Sequence, residues 1–327
     1  MGGAFAIKRQ TKPCSEMSFF EWTPSRTRKL QIASCYAARS SPTNSKSVDG
    51  IRGIAMNSQN KSPKIDDCVI NAIQNGKLTA RNISFQKIRS LCNARIRMLS
   101  AAEDNQLKES LGRGRNILQT APQLDKYAYT HGRMIPSQWS HVFGMLNWEP
   151  RQQTHVIDYG CGQGLSTSLF LDNYGKEYFN FIEKITLIEP SPIALERAKA
   201  IIGCYSDKIE IKTMNMDFDS FNREKAEGNT GGLTCHLFSN VLDFSGYDHL
   251  ELLNNAISTP GTNLILAVSH DRKGSPYIRA CKDKVESLKA DEKFTVKENF
   301  IETFRCNDDK NDAIAFLAEV KVHDGLI

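Results

Sequence analysis

The sequence predicts an α/β fold: a mostly parallel sheet with a C-terminal antiparallel hairpin, preceded by a helical N-terminal region and a disordered leader. Three observations carry this expectation. After Pro150, short apolar stretches alternate with helical ones, the pattern of a parallel sheet with right-handed crossovers. The first apolar stretch runs into Asp158-Tyr159-Gly160-Cys161-Gly162-Gln163-Gly164, a glycine-rich turn between a strand and a helix. The last two, 294–304 and 313–322, are separated only by a turn containing Cys306-Asn307-Asp308-Asp309, which suits a hairpin and not a crossover.

Each segment has its own reason. Residues 1–62 are rich in Ser, Thr, Arg and Lys without sustained apolar periodicity, so they cannot bury enough surface to offset chain entropy. They are read as a disordered basic leader. Such a composition is also that of an organelle transit peptide, and Met56 offers a second start. The body is expected in the cytoplasm, or in an organelle if the leader is a transit peptide.

Residues 63–122 form a predicted helical cap. Phe85, Ile88, Leu91, Cys92, Ile96 and Leu99 recur at three- and four-residue spacing and make one apolar stripe. Arg81, Lys87, Arg89, Arg95 and Arg97 surround it without forming a face, as solvated helix charges do. Gly112 and Gly114 interrupt the pattern. Residues 123–327 form the predicted ligand-binding domain. A helix over 137–146 carries Trp139, Val142, Phe143 and Leu146 on one side. Strands are expected at 155–158, 185–189, 209–214, 235–239 and 264–269, with helices at 191–202 and 247–257.

Charge and cysteine usage exclude several classes. The 327 residues carry 42 Lys and Arg against 37 Asp and Glu, a formal net charge of +5. The first fifty residues hold eight basic groups and three acids, so the whole excess lies there and the body is neutral. A global field that attracts a polyanion is therefore missing; nucleic acid stays open as a partner but body charge does not support it. Nine cysteines are scattered without a Cys-x-x-Cys pair, which implies no disulfide framework and no structural metal. Apolar runs fall far short of the roughly 20 residues a membrane-spanning helix needs, so no membrane association is expected.

The glycine turn carries the chemistry. Glycines at this position let the chain turn sharply and let a ligand touch bare backbone, while the following helix offers unpaired N–H groups. A dinucleotide site wants Gly-x-Gly-x-x-Gly. From Gly160 the third position is Leu165, and from Gly162 it is Thr167, so the fit is poor. The order Asp158-x-Gly160-x-Gly162-x-Gly164 instead resembles the first motif of the class I S-adenosylmethionine-dependent methyltransferases, which have a Rossmann-like sheet. The second strand ends in Glu189, 25 residues past Gly164, where an acid can accept both ribose hydroxyls. The resemblance implies that Asp217, after the third strand, binds the adenine amino group. It also implies that the segment from Ser239 after the fourth strand lines the cofactor and substrate pocket.

The cofactor-binding set is thus Asp158, Gly160, Gly162, Gly164, Glu189, Asp217 and Ser239, with S-adenosylmethionine as cofactor. Asn240, Asp243 and His270 are candidates for the acceptor pocket, and no catalytic residue is assigned. Ser239-Asn240-Val241-Leu242 lacks the two prolines usual where base amines are methylated, and the sole Pro-Cys, Pro13-Cys14, lies in the leader. A small-molecule or protein acceptor is therefore preferred over RNA. Two rivals stand beside the methyltransferase: a non-catalytic S-adenosylmethionine-binding regulatory or interaction protein, and an NAD-dependent oxidoreductase.

Overall fold

The computed structural model describes residues 67–146, 152–174, 176–221, 232–272, 274–307 and 311–324. The expected leader lies outside the described residues. Helices come first: α1 (Cys68–Gln74), α2 (Phe85–Ile96), α3 (Ala101–Ser110), α4 (Ala121–Thr130) and α5 (Ile135–Met145). Their starts are encoded locally. Asp67 accepts from the N–H groups of Val69 and Ile70, and Ser100 with Glu103 and Thr120 with Gln123 form reciprocal capping boxes.

The stripe on α2 is buried at Phe85, Ile88, Cys92 and Ile96. Two of its flanking arginines depart from the expectation of solvated charges. Arg89 donates to the backbone oxygens of Ala128 and Tyr129, and Arg95 pairs with Asp125 at 3.4 Å. The reason is tertiary: α4 packs along α2, bringing carbonyls and a carboxylate within reach of side chains that sequence alone leaves in water.

The alternation then begins: β1 (Thr154–Tyr159), α6 (Leu165–Tyr174), β2 (Ile182–Ile188), α7 (Pro192–Tyr205), β3 (Glu210–Met214), β4 (Leu233–Ser239), α8 (His249–Ala256), β5 (Gly261–His270), α9 (Pro276–Ser287), β6 (Phe294–Arg305) and β7 (Asp312–Val322). The sheet has seven strands in the order β3-β2-β1-β4-β5-β7-β6. The first five pair in parallel, while β7 runs antiparallel to both β5 and β6. The predicted mixed sheet with a terminal hairpin is what forms. The hairpin does not extend the edge in chain order, because β7 inserts between β5 and β6.

Both faces of the sheet are covered, so β1 and β4 are nearly wholly buried, their polar residues Thr154, His155, Asp158, Thr234 and His236 included. Val156, Leu187, Leu237 and Leu266 face a core shared with α1, α2, α5, α6 and α7. Ile157, Phe238, Ile265 and Phe316 face a second core under α8 and α9. A polar chain is enclosed in this second layer: Tyr159 Oη lies 3.1 Å from His236 Nδ1, and His236 Nε2 lies 3.1 Å from Asn263 Oδ1. Successive connections leave the sheet in opposite directions on either side of β1 and β4. That reversal opens a crevice at the carboxyl ends of these strands, where ligands of open α/β sheets bind.

Candidate functional site

A cavity of about 300 Å3 lies in this crevice. Gly160, Gly162, Glu189, Asp217, Ser239 and Asn240 all line it, although they come from four separate strand ends. A second cavity of about 50 Å3 lies alongside and is lined by Asn240, Asp243 and His270. Asn240 thus stands between the two. Asp158 and Gly164 belong to neither lining.

The three glycines have distinct geometric reasons. All have left-handed backbones, with φ of 62° at Gly160, 54° at Gly162 and 78° at Gly164, a region in which a Cβ is strained. A Cβ on Gly160 would also stand 2.7 Å from Val241 Cγ1 and 3.1 Å from Phe218. One on Gly164 would meet the Cβ of Ala198 at 3.2 Å, so this glycine seats the turn against α7. Gly162 has open space beside it and presents bare backbone to the larger cavity.

Asp158 sits behind the turn. One carboxylate oxygen accepts from Ser166 Oγ at 2.7 Å and from Thr167 Oγ1 at 2.5 Å, while Oδ1 has no partner among the described residues. Burial pushes this carboxyl up to about 6 against the opposing pull of the two hydroxyls. Its placement ties β1 to the first turn of α6.

Glu189 follows β2 and reaches across to the turn. Its Oε2 accepts the Gly162 N–H at 3.0 Å, and its Oε1 accepts the Ser191 N–H at 2.9 Å. Burial raises its pKa, opposed by these two N–H groups. Each oxygen retains a second lone pair for a ligand hydroxyl. Ser191 caps α7 and Pro192 opens it, as its sequence predicts. Asp217 is exposed at the cavity edge and accepts from the Ser220 N–H at 2.9 Å. Beside it Phe218, Phe244 and Tyr247 form an aromatic wall, with ring centroids 4.7 Å and 5.7 Å apart for the pairs that include Tyr247. Tyr127 reaches the cavity from α4; burial, with Glu189 and Asp243 nearby, pushes its hydroxyl up to about 12.

The end of β4 is pinned by α5. Trp139 Nε1 donates to Ser239 Oγ at 3.0 Å. Gln138 and Asn240 exchange two amide hydrogen bonds of 3.0 and 2.9 Å. Asn240 holds φ at 56° while its N–H donates to Val268 O at 2.7 Å, so a strained residue is fixed by three hydrogen bonds to two partners.

Sequence reasoning missed the support behind the turn. Arg197 is fully buried on α7. Its Nε donates to Asp67 at 2.7 Å, and its Nη1 donates to Asp125 at 2.8 Å and to Gln163 at 3.0 Å. Gln163 in turn donates to Leu124 O at 2.8 Å. The available signal is positional: Arg197 shares a helix face with Ala194, Ala198 and Ile201, all buried. An arginine in such a stripe needs carboxylate partners.

The cavity fits an adenosyl group. It is of the size of small-ligand sites, has an aromatic wall for a ring, a half-buried carboxylate with spare lone pairs, and bare glycine backbone. The strand order with its antiparallel seventh strand makes a Rossmann-like mixed sheet.

No protein-family model matches the chain, and no curated protein matches it in sequence. Among solved structures it is similar to a Leishmania major S-adenosylmethionine-dependent methyltransferase, at 14% identity and a TM-score of 0.41, over 65% of this chain and 82% of that one. It is similar also to the plantazolicin methyltransferase BamL in complex with a triazolic desmethylPZN analogue and S-adenosylhomocysteine, at 12% identity and a TM-score of 0.42, over 67% and 96% of the chains. A Mesorhizobium loti S-adenosylmethionine-dependent methyltransferase is similar at 14% identity and a TM-score of 0.37, over 56% and 97%.

Proposed function

We propose that this chain is an S-adenosylmethionine-dependent methyltransferase that binds its cofactor in the larger cavity. The observation that supports this best is the Glu189–Gly162 contact at the sheet's reversal point, where a half-buried carboxylate and a left-handed glycine turn meet over one cavity. Glu189 would hold the ribose hydroxyls and Asp217 the adenine amino group. Phe218 and Val241 would flank the ring, and Gly160 and Gly162 would lie against the amino-acid tail. Asp158 and Gly164 would act from behind, by shaping the turn. Helices over 63–122 would serve as a cap to the domain formed by 123–327.

When bound, the cofactor supplies an electrophilic methyl on sulfur. The protein's own work is to bring an acceptor nucleophile in line, exclude water and accept a proton. Ser239 and Asn240, fixed by Trp139 and Gln138, form the wall between cofactor and acceptor. A small molecule or protein is the preferred acceptor. The cytoplasm is the proposed compartment, or an organelle if the leader is a transit peptide. Among the described residues, no helix is long and apolar enough to cross a membrane.

A cofactor-binding protein without catalysis is the second reading. It is favoured by the reciprocal Gln138–Asn240 pair, which occupies an amide otherwise able to face an acceptor. Isothermal titration of the full chain with S-adenosylhomocysteine and, separately, with NAD tests the assignment. Saturable uptake of the first and none of the second is expected. Folded protein that takes up no S-adenosylhomocysteine overturns both readings, and uptake of NAD instead supports an oxidoreductase.

A further inference from the structure

The smaller cavity has a charge that the sequence does not reveal. Arg113, Arg115 and Arg272 line it against a single carboxylate, Asp243. Arg272 Nε stands 3.8 Å from Asp243, whereas Arg113 and Arg115 form no ion pair among the described residues. The neutral body therefore concentrates cationic groups at one opening.

The backbone around this opening is strained. Among the described residues, the non-glycine positions with positive φ are Arg113 at 60°, Asn240 at 56° and Ser275 at 45°. Arg113 and Asn240 line the smaller cavity. Ser275 braces its edge, donating through Oγ to His270 O at 3.3 Å and to Asp271 at 2.9 Å. Gly112, Arg113 and Gly114 are left-handed in succession, at 53°, 60° and 84°. A Cβ on Gly114 would stand 3.2 Å from the His131 ring, so this turn lies directly on that imidazole. Left-handed backbone at a β-carbon-bearing residue costs roughly 1–2 kcal/mol; such strain gathers at functional sites. Here it delivers Arg113 and Arg115 to either side of Gly114.

We propose that the smaller cavity is the acceptor site and that it recognises an acceptor bearing an oxyanion, a phosphate or a carboxylate, through Arg113, Arg115 and Arg272. This rests on the methyltransferase reading for the word acceptor, but the anion site itself does not. Guanidinium groups suit both anions because their N–H donors match paired oxygens. The volume of about 50 Å3 is less than twice the roughly 30 Å3 share of one water. It admits a group of a few atoms, the charged end of a larger acceptor. Arg115, Tyr127 and Asn240 line both cavities, so the remainder of the acceptor faces the cofactor. Burial, followed by the charge of Arg272, lowers the pKa of His131. Its imidazole lines the same cavity and favours the neutral form.

The test titrates the full chain, saturated with S-adenosylhomocysteine and also without it, against inorganic phosphate and against acetate in low-salt buffer. Saturable uptake of at least one anion is expected. Arg113→Ala and Arg272→Ala should each weaken it tenfold or more, Arg113→Lys should weaken it less, and affinity for S-adenosylhomocysteine should stay within twofold. Preference for phosphate or for acetate identifies the source of the oxyanion. Absence of saturable uptake of either anion, or equal affinity in the alanine variants, overturns the proposal. Failure of S-adenosylhomocysteine to bind while the anion still binds counts against the methyltransferase reading alone.

Discussion

The guanidinium of Arg197 donates to the side-chain oxygen of Gln163 at 3.0 Å, joining the glycine turn to a buried ionic cluster beneath it. Asp67, at the start of α1, and Asp125, on α4, are its carboxylates, and Arg95 on α2, paired with Asp125, balances the charge. The N-terminal helices and the glycine turn therefore share one electrostatic support. Its role is to hold Gln163, and with it the turn, against Leu124.

Arg197→Met should destabilise the fold by about 3–5 kcal/mol, because removing one member of a buried ionic group leaves the others uncompensated. Urea denaturation of the full chain reads this directly. A change under 1 kcal/mol would show that water or another cation replaces the guanidinium.

Glu189→Ala should weaken S-adenosylhomocysteine binding by roughly 1–3 kcal/mol, the scale for hydrogen bonds to a charged group. Titration calorimetry checks it. Unchanged affinity would mean that the carboxylate serves only the Gly162 and Ser191 N–H groups it already accepts.

Asp158 gives a pH signature. Burial pushes its folded carboxyl up to about 6, above the ordinary 3.8 of an aspartate, so the folded state binds the proton more tightly than the unfolded chain. The resulting stabilisation is complete below about pH 4 and is lost as pH rises through 6. Two pH units correspond to about 3 kcal/mol. Unfolding free energies of wild type and Asp158→Asn, measured from pH 4 to 7, should diverge by about that amount, with the variant relatively more stable at the higher pH. Parallel curves would place the titration elsewhere.

Gly160→Ala should both destabilise the protein and weaken the cofactor. Left-handed backbone with a Cβ costs roughly 1–2 kcal/mol, and the new methyl would press on Val241 from 2.7 Å. Thermal unfolding with and without S-adenosylhomocysteine separates the two effects: a lower Tm in both, with a smaller ligand-induced rise in the variant. An undiminished rise would show that Phe218 and Val241 retreat without altering the cavity.

Strand–helix alternation and the hairpin were legible because apolar runs and turn residues act locally. Ser191 and Pro192 open α7 on their own chemistry, and the glycine turn signals its bend by residue type alone. Arg89, Arg95 and Arg197 were not legible as buried or half-buried groups. Their partners lie 30 to 130 residues away, and periodicity carries no information about which carboxylate or carbonyl a distant helix will bring.

The sequence by itself determined the elements, the glycine turn and the acid after β2, since each follows from local propensity and the needs of the backbone. Tertiary structure alone decided that Asp158 and Gly164 stand behind the turn and that Gln138 closes on Asn240. It also brought Arg272 together with Arg113 and Arg115, from a turn about 160 residues earlier, around one small cavity in a body without excess charge. Net charge is a sum over the chain, whereas the field at a site depends on distance, and only folding sets distance.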